Sequence, residues 1–450
     1  MTSTASPTPA KQPRDYQVAA IDRARAAFLA GRRAVLIVSP TGSGKSLLAA
    51  LIAQLTIARG NTVAIVAPRI EILGQLAIEA RDLGIPVRTI HADHDDGPAD
   101  APLVVASIWT VSLPRWIGKL QPQFIIIDEC HRALAERSYG VFIAANPSAR
   151  LLGLTATPAR SDLRGLSPPF DELIVATSTA ELTRRGNLVP CRVIVPAGAG
   201  NGLALPVVDA YQRHAAGRRT IVFAASIAHG KQIVADLTAI GIAAALVTGK
   251  TPDMARAESM RAFGAGSLTV LVNVACFVEG LDVPACSAAI FARKFTAIGP
   301  YLQAIGRTLR PAPDKQDSLI VDLLGSALEH GPPTLEHPFS LTGRGIRSTV
   351  IKDQIRQCQT CGSISLAGAP QCEYCGAEFP VRRAALPTSD RRGLVELDPT
   401  YRPEKREFVV TIKSKYHGVC VACRQAYARG DEIRYATVGR TAKHVRCPVV

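Results

Sequence analysis

The sequence predicts an α/β protein with two tandem parallel-sheet domains, followed by two small cysteine-containing modules. From residue 14 to about 325, short apolar and β-branched runs alternate with longer amphipathic stretches, which is typical of βαβ units on a parallel sheet. Beyond residue 357, seven of the 11 cysteines fall in CxxC-type clusters. A length of 450 residues suits such a modular chain, because a domain usually holds about 100 to 200 residues.

Buried strands are predicted from apolar runs of three to five residues. They are residues 34–38, 63–67, 103–106, 124–127 and 151–154 in the first half, and 221–224, 244–247, 270–272, 289–292 and 318–321 in the second. Amphipathic stretches such as 46–59 lie between them and predict helices, since their leucines and isoleucines recur at spacings of three and four.

Stretches rich in glycine, proline or charged residues divide the chain into seven predicted segments. They are a disordered polar tail at 1–13, α/β domains at 14–186 and 187–330, a linker at 331–350, a cysteine module at 351–380, a charged linker at 381–411 and a second cysteine module at 412–450. The boundary between the two α/β domains is placed at the Gly- and Pro-containing stretch that begins at residue 186.

The charge of the chain predicts a polyanionic partner. Its 52 basic and 37 acidic residues give a formal net charge of +15, and residues 341–450 alone contribute 19 basic and 10 acidic side chains. No apolar run approaches the ~18 residues of a membrane helix, and the tail lacks the apolar segment of a secretory signal. We therefore expect a cytoplasmic, nucleoid-associated protein without a membrane span.

The segment SPTGSGKS at residues 39–46 predicts a phosphate-binding loop, because it follows an apolar strand and precedes a helix. The glycines would let successive backbone N–H groups face the phosphates, Lys45 would reach the β and γ phosphates, and Ser46 would coordinate Mg²⁺. The predicted nucleotide-binding residues of this loop are Thr41, Gly42, Ser43, Gly44, Lys45 and Ser46. Ser39 departs from the first glycine of the pattern, and an ordinary Gly/Ser turn is the alternative interpretation.

A carboxylate pair, Asp128 and Glu129, follows the apolar run at 124–127. At the carboxyl end of a buried strand, this pair faces the crevice where α/β sheets bind ligands. Asp128 would hold Mg²⁺, and Glu129 would orient and deprotonate an attacking water molecule. An acidic turn is the alternative for a DE pair alone, but the phosphate loop favours the catalytic interpretation.

With DECH at residues 128–131 after SPTGSGKS, the chain resembles superfamily 2 helicases of the DEAH-like branch. The resemblance covers residues 14 to about 325, through RDYQ at 14–17, LTATP at 154–158, EGLDVP at 279–284 and QAIGRTLR at 303–310. It implies two RecA-like domains that bind ATP with Mg²⁺ between them. Cys130 replaces the usual alanine, and we expect a small buried thiol without a catalytic role.

The resemblance also implies roles for individual residues, in four groups. These are nucleotide contacts by Arg14, Gln17, Gly280 and Asp282, coupling of hydrolysis to domain movement by His131, Thr155 and Thr157, nucleic-acid contacts by Pro68, Arg69 and Ser107, and hydrolysis by Glu129, Gln303, Arg307 and Arg310. Because Arg307 and Arg310 are three residues apart, we expect them to share a helix face with Gln303 and to stabilise charge on the γ-phosphoryl group. A solvated basic helix face is the alternative.

The CxxC clusters predict structural zinc, since four thiolate or imidazole ligands at this spacing can close a tetrahedral shell. The first predicted site uses Cys358, Cys361, Cys372 and Cys375, and the second uses Cys420, Cys423, His444 and Cys447, with His417 as a rival ligand. Reduced spectator thiols, or a basic tail with incidental cysteines, are the alternatives.

A helicase core followed by a CxxCG…CxxCG ribbon resembles RadD-type DNA-repair helicases and related phage proteins. The leading hypothesis is an ATP-dependent helicase or translocase that acts on DNA at forks, gaps or junctions. An RNA helicase is the second hypothesis, and a zinc-bearing nucleic-acid-binding protein with a decayed motor is the third. A monomer is expected by default, with single-strand-binding or recombination proteins as candidate partners.

Overall fold

A computed structural model describes most of the first 341 residues and short stretches of the remainder. The described residues are 12–131, 137–158, 166–196, 202–274, 283–337, 339–341, 355–357, 364–366, 371, 377–378, 394–397, 409–413, 418–420, 423, 425–428, 431–436 and 441–444. They divide into two compact units. The first takes in the described residues within 1–327, 332–346 and 387–400, and the second those within 328–331, 347–386 and 401–450.

The first unit contains two parallel-sheet lobes, of which lobe 1 has an eight-stranded sheet. Its strands are β1 (Ala34–Val38), β2 (Val63–Ala67), β3 (Val87–His91), β4 (His94–Asp96), β5 (Leu103–Ser107), β6 (Phe124–Ile127), β7 (Arg150–Thr155) and β8 (Glu172–Val175). The strand order is β4-β3-β5-β2-β6-β7-β1-β8, and only the β3–β4 pair is antiparallel. The carboxyl ends of the parallel strands therefore meet at one edge, where α/β folds bind ligands.

Helices cover both faces of the lobe 1 sheet. They are α1 (Asp15–Leu29), α2 (Lys45–Ile57), α3 (Ile70–Asp82), α4 (Ile108–Val111), α5 (Arg137–Ala145) and α6 (Thr179–Arg184). Val35 and Ile37 belong to the apolar core on one face, whereas Leu36 belongs to the core on the other. Burial on both faces explains why the central strands are continuous apolar runs rather than alternating ones.

Lobe 2 has a seven-stranded sheet in the order β11-β12-β10-β13-β14-β9-β17. Its strands are β9 (Cys191–Pro196), β10 (Thr220–Ala224), β11 (Ala244–Thr248), β12 (Val270–Val274), β13 (Ala288–Ala292), β14 (Ser318–Asp322) and β17 (Leu394–Glu396). Its helices are α7 (Val207–Ala210) with a π-helical turn at Tyr211–Ala215, α8 (Ile227–Ala239), α9 (Asp253–Ala265) and α10 (Ile298–Gly306), and α11 (Ser326–His330) follows β14. The predicted α/β class with two parallel-sheet domains is confirmed.

Each of the ten predicted strands is present, with ends that differ by no more than two residues from the prediction. The strands of the two lobes that were not predicted lie at a sheet edge, next to one, or at the domain boundary. β3 is only partly buried and carries Arg88 and Thr89, so its sequence lacks a continuous apolar run. β9 lies in the Gly- and Pro-containing stretch that was interpreted as the boundary between the two domains.

The predicted linker at 381–411 contains a strand of lobe 2. β17 pairs antiparallel with β9, and Arg192 of β9 forms a two-point ion pair with Glu396 of β17. Leu397 is 7% exposed, and its N–H donates to Val193 O at 2.6 Å. This short segment therefore protects a sheet edge that would otherwise be unpaired.

The described part of the predicted linker at 331–350 returns to lobe 1 after β14 and α11. Leu341 O accepts hydrogen bonds from Leu166 N at 2.7 Å and Ser167 N at 3.1 Å. Phe339 and Leu341 also pack against the lobe 1 core. We call residues 332–341 the return segment, and it is a second connection between the lobes besides residues 185–190.

The second unit is built from short antiparallel strands. They are β15 (Ile355–Gln357), β16 (Ile364–Leu366), β18 (Val409–Lys413), β19 (Gly418–Val419), β20 (Ala426–Tyr427), β21 (Glu432–Ala436) and β22 (Thr441–His444). β15 pairs with β16, β19 pairs with β20, and β18, β21 and β22 form a three-stranded sheet. Among all described residues, no helix is long and apolar enough to span a membrane.

Candidate active site

The loop at residues 39–46 connects β1 to α2 at the carboxyl edge of the lobe 1 sheet. Gly42 and Gly44 have φ angles of 86° and 76°, in the left-handed region that glycine adopts without strain. A Cβ atom on Gly42 would lie 2.8 Å from Leu188 Cδ2, and one on Gly44 would lie 3.0 Å from Gln17 Nε2. The loop thus forms a glycine-dependent turn at the amino end of α2, where backbone N–H groups favour an anion.

Ser39, the departure from the phosphate-loop pattern, takes part in the hydrogen bonding of the loop itself. Its Oγ donates to Ser43 Oγ at 2.7 Å, and both residues are 1% exposed. The Ser39 N–H also donates to Thr155 O at 2.9 Å, which ties the loop to the end of β7. Serine is therefore compatible with the turn, because its hydroxyl has a buried partner.

The amino end of α1 lies against the same loop. Tyr16 Oη donates to Ser43 O at 2.6 Å, and Gln17 Nε2 donates to Gly44 O at 3.1 Å. Arg14 Nη1 donates in turn to Tyr16 Oη at 3.0 Å. The structure thus places the predicted residues Arg14 and Gln17 beside the loop. Tyr16 is a further residue at this site that was not predicted, and its position within RDYQ was the one sequence feature that could have indicated it.

Lys45 is the first residue of α2. Its Nζ donates to Ser39 O and Pro40 O, both at 3.3 Å. Burial lowers the pKa of Lys45, whereas the carboxylates of Glu129 and Asp128 raise it. The ammonium group is therefore electrostatically coupled to the acidic pair, as a phosphate-binding lysine beside a metal site would be.

The acidic pair follows β6 directly. Asp128 and Glu129 are 6% and 7% exposed, and Asp128 N donates to Val66 O at 3.0 Å. Glu129 has a φ of 49°, in the left-handed region that only a few per cent of non-glycine residues occupy. Its N–H donates to Asp128 Oδ1 at 3.0 Å. Backbone strain of this kind costs ~1–3 kcal/mol and is concentrated at functional sites.

The two carboxyl groups titrate as a coupled pair, since two adjacent buried charges repel each other. Burial and the charge of Glu129 raise the pKa of Asp128 to about 7. Burial alone would also raise the pKa of Glu129, but His131, Lys45 and Arg307 together lower it to about 2. The surroundings of the pair therefore favour the ionised form of Glu129.

The donor set fits the predicted magnesium site. The Ser46 hydroxyl and the Asp128 carboxylate are hard oxygen ligands, of the kind that Mg²⁺ uses together with substrate phosphates. A bound cation would also favour the ionised form of Asp128, which burial otherwise disfavours.

A group of contacting side chains connects the acidic pair to the end of β7. His131 Nδ1 lies 3.3 Å from Glu129 Oε2 and 3.1 Å from Thr155 Oγ1. Thr155 Oγ1 donates to Thr157 O at 2.9 Å, and Thr157 N donates to Thr155 Oγ1 at 3.1 Å. The three predicted coupling residues thus form one continuous contact path from Glu129.

Cys130 is 0% exposed, as expected for a structural thiol. Burial raises the pKa of this thiol well above its usual range. A Cβ atom on Gly153 would lie 2.8 Å from its Sγ, so the cysteine fills the space beside a glycine of β7. The expected role as a small buried group is confirmed.

Lobe 2 meets the phosphate-loop segment through α10. A Cβ atom on Gly306 would collide with Thr41 Cβ, so the last turn of α10 contacts the loop directly. Gln303 is 2% exposed, and its Nε2 has no hydrogen-bond partner among the described residues. A buried amide in this position is a candidate donor to substrate or to the attacking water, because buried polar groups are normally paired.

Arg307 and Arg310 both act electrostatically on Lys45, since their charges contribute to the lowered pKa of Lys45. Arg307 is 9% exposed, and a Cβ atom on Gly42 would lie 3.5 Å from Arg310 Cγ. Neither guanidinium group is therefore remote from the loop.

The expected shared helix face for the two arginines is wrong. α10 ends at Gly306, Arg307 caps it, and Arg310 lies beyond the helix. The chain after residue 307 continues as a turn, and Thr308 Oγ1 donates to Ile305 O at 2.8 Å. Of the other residues predicted in lobe 2, Gly280 and Asp282 lie outside the described residues.

Lys315 is a residue near this site that the sequence analysis missed. Its Nζ donates to three carbonyl oxygens, of Arg310 at 2.6 Å, Cys286 at 2.7 Å and Pro284 at 2.8 Å. Burial lowers the pKa of Lys315 to about 8. Lys315 holds the backbone that carries Arg310 in place through these hydrogen bonds. The sequence gives no indication of this role, because a single lysine in a polar loop is usually solvent-exposed.

The predicted nucleic-acid contacts lie together at the carboxyl ends of β2 and β5. Ala67 and Ser107 are register partners at the ends of these strands, and Pro68 and Arg69 follow the first of them. Ser107 is 5% exposed, so its side chain is largely covered in the structure. Trp109, which was not predicted, follows Ser107 and is 46% exposed.

A cavity of about 330 Å³ lies beside the phosphate loop between the two lobes. Pro40 and Thr41 line it from the loop, Leu302 and Gly306 from α10, and Leu335 from the return segment. The return segment therefore contributes to the junction where the lobes meet.

The predicted zinc ligands fall mostly outside the part of the chain that the structure describes. Cys358, Cys361, Cys372, Cys375 and Cys447 are not among the described residues. Cys420 is buried and Cys423 partly buried, and the Cys420 N–H donates to Gln425 O at 2.9 Å beside the β19–β20 pair. Within the described residues, no group of three or more metal-ligating side chains is present.

Comparisons with known proteins agree with this geometry. Residues 10–160 match the family model of the type III restriction enzyme res subunit, and residues 204–312 match that of the helicase conserved C-terminal domain. The two models together match more than half of the chain.

Among individual relatives, a 51.5 kDa protein of a Lactococcus phage is 26% identical over 77% of this chain and 78% of its own length. The Schizosaccharomyces pombe protein irc3, whose name describes a mitochondrial ATP-dependent helicase, is 27% identical. That match covers 72% of this chain and 59% of irc3.

Among solved structures, a fragment described as the HsdR subunit of a type I restriction enzyme from Vibrio vulnificus is similar in fold. Its TM-score is 0.59 at 22% identity, and the match covers 75% of this chain and 68% of that one.

Proposed function

Because the chain belongs to superfamily 2 of the helicases and is an ATP hydrolase, we propose that it translocates on DNA at forks, gaps or junctions during repair or recombination. The observation that carries the proposal is the convergence of both lobes on one loop. Gly306 of α10 contacts Thr41, and the charges of Arg307 and Arg310 act on Lys45. A triphosphate on this loop would be in reach of catalytic groups from both lobes.

In the proposed hydrolysis step, each group has a separate task. The loop N–H groups and Lys45 bind the β and γ phosphates, and the carboxylate of Glu129, whose ionised form its neighbours favour, accepts a proton from the attacking water. Arg307 and Arg310 stabilise the charge that develops on the γ-phosphoryl oxygens, an effect of about 10³- to 10⁵-fold for such arginines. Mg²⁺, when held by Ser46 and Asp128, neutralises phosphate charge.

The two lobes are expected to move relative to each other during the cycle, because they share one nucleotide. The triphosphate favours the closed arrangement because it binds groups of both lobes, and its hydrolysis removes that advantage. The contacts of His131 with Glu129 and Thr155 give the hydrolytic site a connection to the carboxyl edge of the sheet. Pro68, Arg69 and Ser107 lie at that edge and would contact the strand backbone.

Two structural zinc ions are proposed for the second unit. The spacing of the two CxxC pairs at 358–375 supports the first ion, and the set Cys420, Cys423, His444 and Cys447 supports the second. The hydrogen bond from Cys420 N across the β19–β20 pair agrees with a hairpin that presents Cys420 and Cys423 to one metal. The excess of positive charge in residues 341–450 would supply phosphate contacts.

The function is tested by measuring ATP hydrolysis with single-stranded, duplex and forked DNA and with RNA. We expect stimulation by DNA and a loss of about 10²-fold or more in Lys45→Ala, because a charged phosphate contact is removed. Lys231→Ala, at an exposed position of α8, is the matched control. Stimulation by RNA alone would favour an RNA helicase, and a fully active Lys45→Ala variant would refute the site.

Metal analysis of the purified full-length chain tests the zinc proposal separately. We expect two zinc ions per chain, and one after Cys358→Ser and Cys361→Ser are combined. A content below one zinc per chain in the unmodified protein would contradict both sites.

A further inference from the structure

Trp109 presents aromatic surface beside the predicted nucleic-acid contacts. It lies in α4, two residues after β5 ends, and its side chain is 46% exposed. Its indole Nε1 donates to Pro68 O at 3.0 Å. The single polar atom of the ring is therefore paired, and the exposed remainder is apolar.

The position of the ring is fixed by two neighbouring strands. Pro68 follows β2 and Trp109 follows β5, and these strands are paired in register up to Ala67 and Ser107. The hydrogen bond from the indole to Pro68 thus joins the two strand ends. Such an anchored ring loses little conformational freedom when it contacts a ligand, so more of the contact energy is retained as affinity.

The surroundings favour a nucleic-acid ligand over a protein one. Arg69, next to Pro68, is the N-cap residue of the 13-residue helix α3, whose amino end favours phosphate. The indole is hydrogen-bonded to Pro68, the residue that precedes Arg69 in the chain. A stacking surface anchored beside a phosphate-binding group matches the two parts of a nucleotide.

Trp116, the other tryptophan, differs in a way that makes it a control. The Arg88 guanidinium and the Lys119 ammonium group both lie 5.9 Å from the centre of its ring system. These cations engage the ring of Trp116 within the protein itself.

We propose that Trp109 is a stacking site for an unpaired nucleobase, with the adjoining phosphate held near Arg69 and the amino end of α3. The inference rests on the proposed function and specifies its ligand. The site would take single-stranded rather than duplex nucleic acid, because bases in a duplex have no free face. It would tolerate any sequence, since every base can stack.

The test compares binding of two strands of equal length, an oligothymidylate and the same sugar-phosphate chain without bases, by fluorescence anisotropy. Trp109→Ala should weaken binding of the oligothymidylate by about 5- to 150-fold, the range measured for loss of one stacked base. The same variant should leave affinity for the abasic strand within about twofold, since its phosphate contacts are unchanged. Trp109→Phe should retain most of the affinity, which also shows that the fold survives.

Intrinsic fluorescence provides a second readout because the chain has only two tryptophans. In Trp116→Phe, the emission of Trp109 should be quenched by the oligothymidylate and not by the abasic strand. In Trp109→Phe, the emission of Trp116 should change little with either strand.

The outcomes separate this inference from the function on which it depends. Equal weakening of both strands by Trp109→Ala, or unquenched Trp109 emission on a bound oligothymidylate, would overturn stacking and leave the DNA translocase intact. If the wild-type chain bound no nucleic acid, both proposals would fall.

Discussion

At the residue scale, Tyr16 shows how a side chain outside the phosphate loop shapes it. Its hydroxyl lies between Arg14, which donates to it, and the Ser43 carbonyl, which accepts from it. The carbonyl of Ser43 is thereby held on the α1 side of the loop. The neighbouring Gly44 carbonyl is held in the same way by Gln17.

Removing the Tyr16 hydroxyl with Tyr16→Phe should loosen the loop without removing a phosphate contact. We expect ATP affinity to fall by about 2- to 10-fold, which corresponds to the net ~0.5–1.5 kcal/mol of one hydrogen bond. Titration with a fluorescent ATP analogue measures the change. Unaltered affinity, in a protein with unaltered melting temperature, would show that the hydrogen bond does not shape the loop.

Residues whose chemistry needs a fixed spacing were predictable, and residues that act through tertiary contacts were not. Lys45 begins α2 after the glycine loop that follows β1, and Asp128 and Glu129 follow β6 directly, so the local pattern placed all three at the correct edge of the sheet. Lys315 and Trp109 act on groups distant in sequence, Lys315 on Pro284 and Trp109 on Pro68. No single stretch of the chain encodes those contacts.

At the scale of elements, the turn between α10 and β14 carries Arg310 and depends on Lys315. The ammonium form of Lys315 has one N–H donor for each of its three carbonyl partners, of Arg310, Cys286 and Pro284. Because burial lowers the pKa of Lys315 to about 8, one of these donors is lost as pH rises through that value.

We therefore expect ATP hydrolysis by the wild-type chain to decline as pH rises through about 8. The Lys315→Met variant should hydrolyse ATP more slowly than the wild type both below and above this pH. Its rate should not decline as the pH rises, because methionine has neither N–H donors nor a titratable group. A pH series of ATPase rates at saturating ATP and DNA measures both. An identical decline in Lys315→Met would show that another group titrates.

Because β17 pairs with β9, we expect the stability of lobe 2 to depend on where the chain is truncated. A chain ending after residue 404 keeps β17, whereas one ending after residue 386 exposes the β9 edge and the site of Leu397. Loss of one buried leucine costs ~1.5–3 kcal/mol, which corresponds to a fall of roughly 5 °C in the melting temperature of a lobe this size. Calorimetry of the two chains tests this, and equal melting temperatures would contradict a structural role for β17.

Central strands were predictable because burial on both faces demands apolar runs, as in β1 and β6. Edge strands were not, because they need no such run. β17 is three residues long and pairs with a strand some 200 positions earlier in the chain, as the Arg192–Glu396 pair illustrates. The α10 boundary was also missed, since the sequence after Gly306 has helical spacing yet turns away at Arg307.

At the scale of the whole first unit, two of the described segments join the lobes. Residues 185–190 lead from lobe 1 to lobe 2, and the return segment leads back, with Leu341 bonded to Leu166 and Ser167. Any opening of the lobes must be accommodated by both. Arg256 of α9, 3.4 Å from Glu71 of α3, adds an ion pair between the lobes that such opening would break.

Whether both lobes act on one triphosphate is tested by single-turnover hydrolysis in Arg307→Ala with saturating DNA. We expect the hydrolysis rate to fall by about 10³-fold or more, with binding of the ATP analogue retained, because the arginine acts on charge that develops during the reaction. Arg261→Ala, at an exposed position of α9, should hydrolyse ATP normally. Hydrolysis by Arg307→Ala at the wild-type rate would show that lobe 2 does not act on the triphosphate through this arginine.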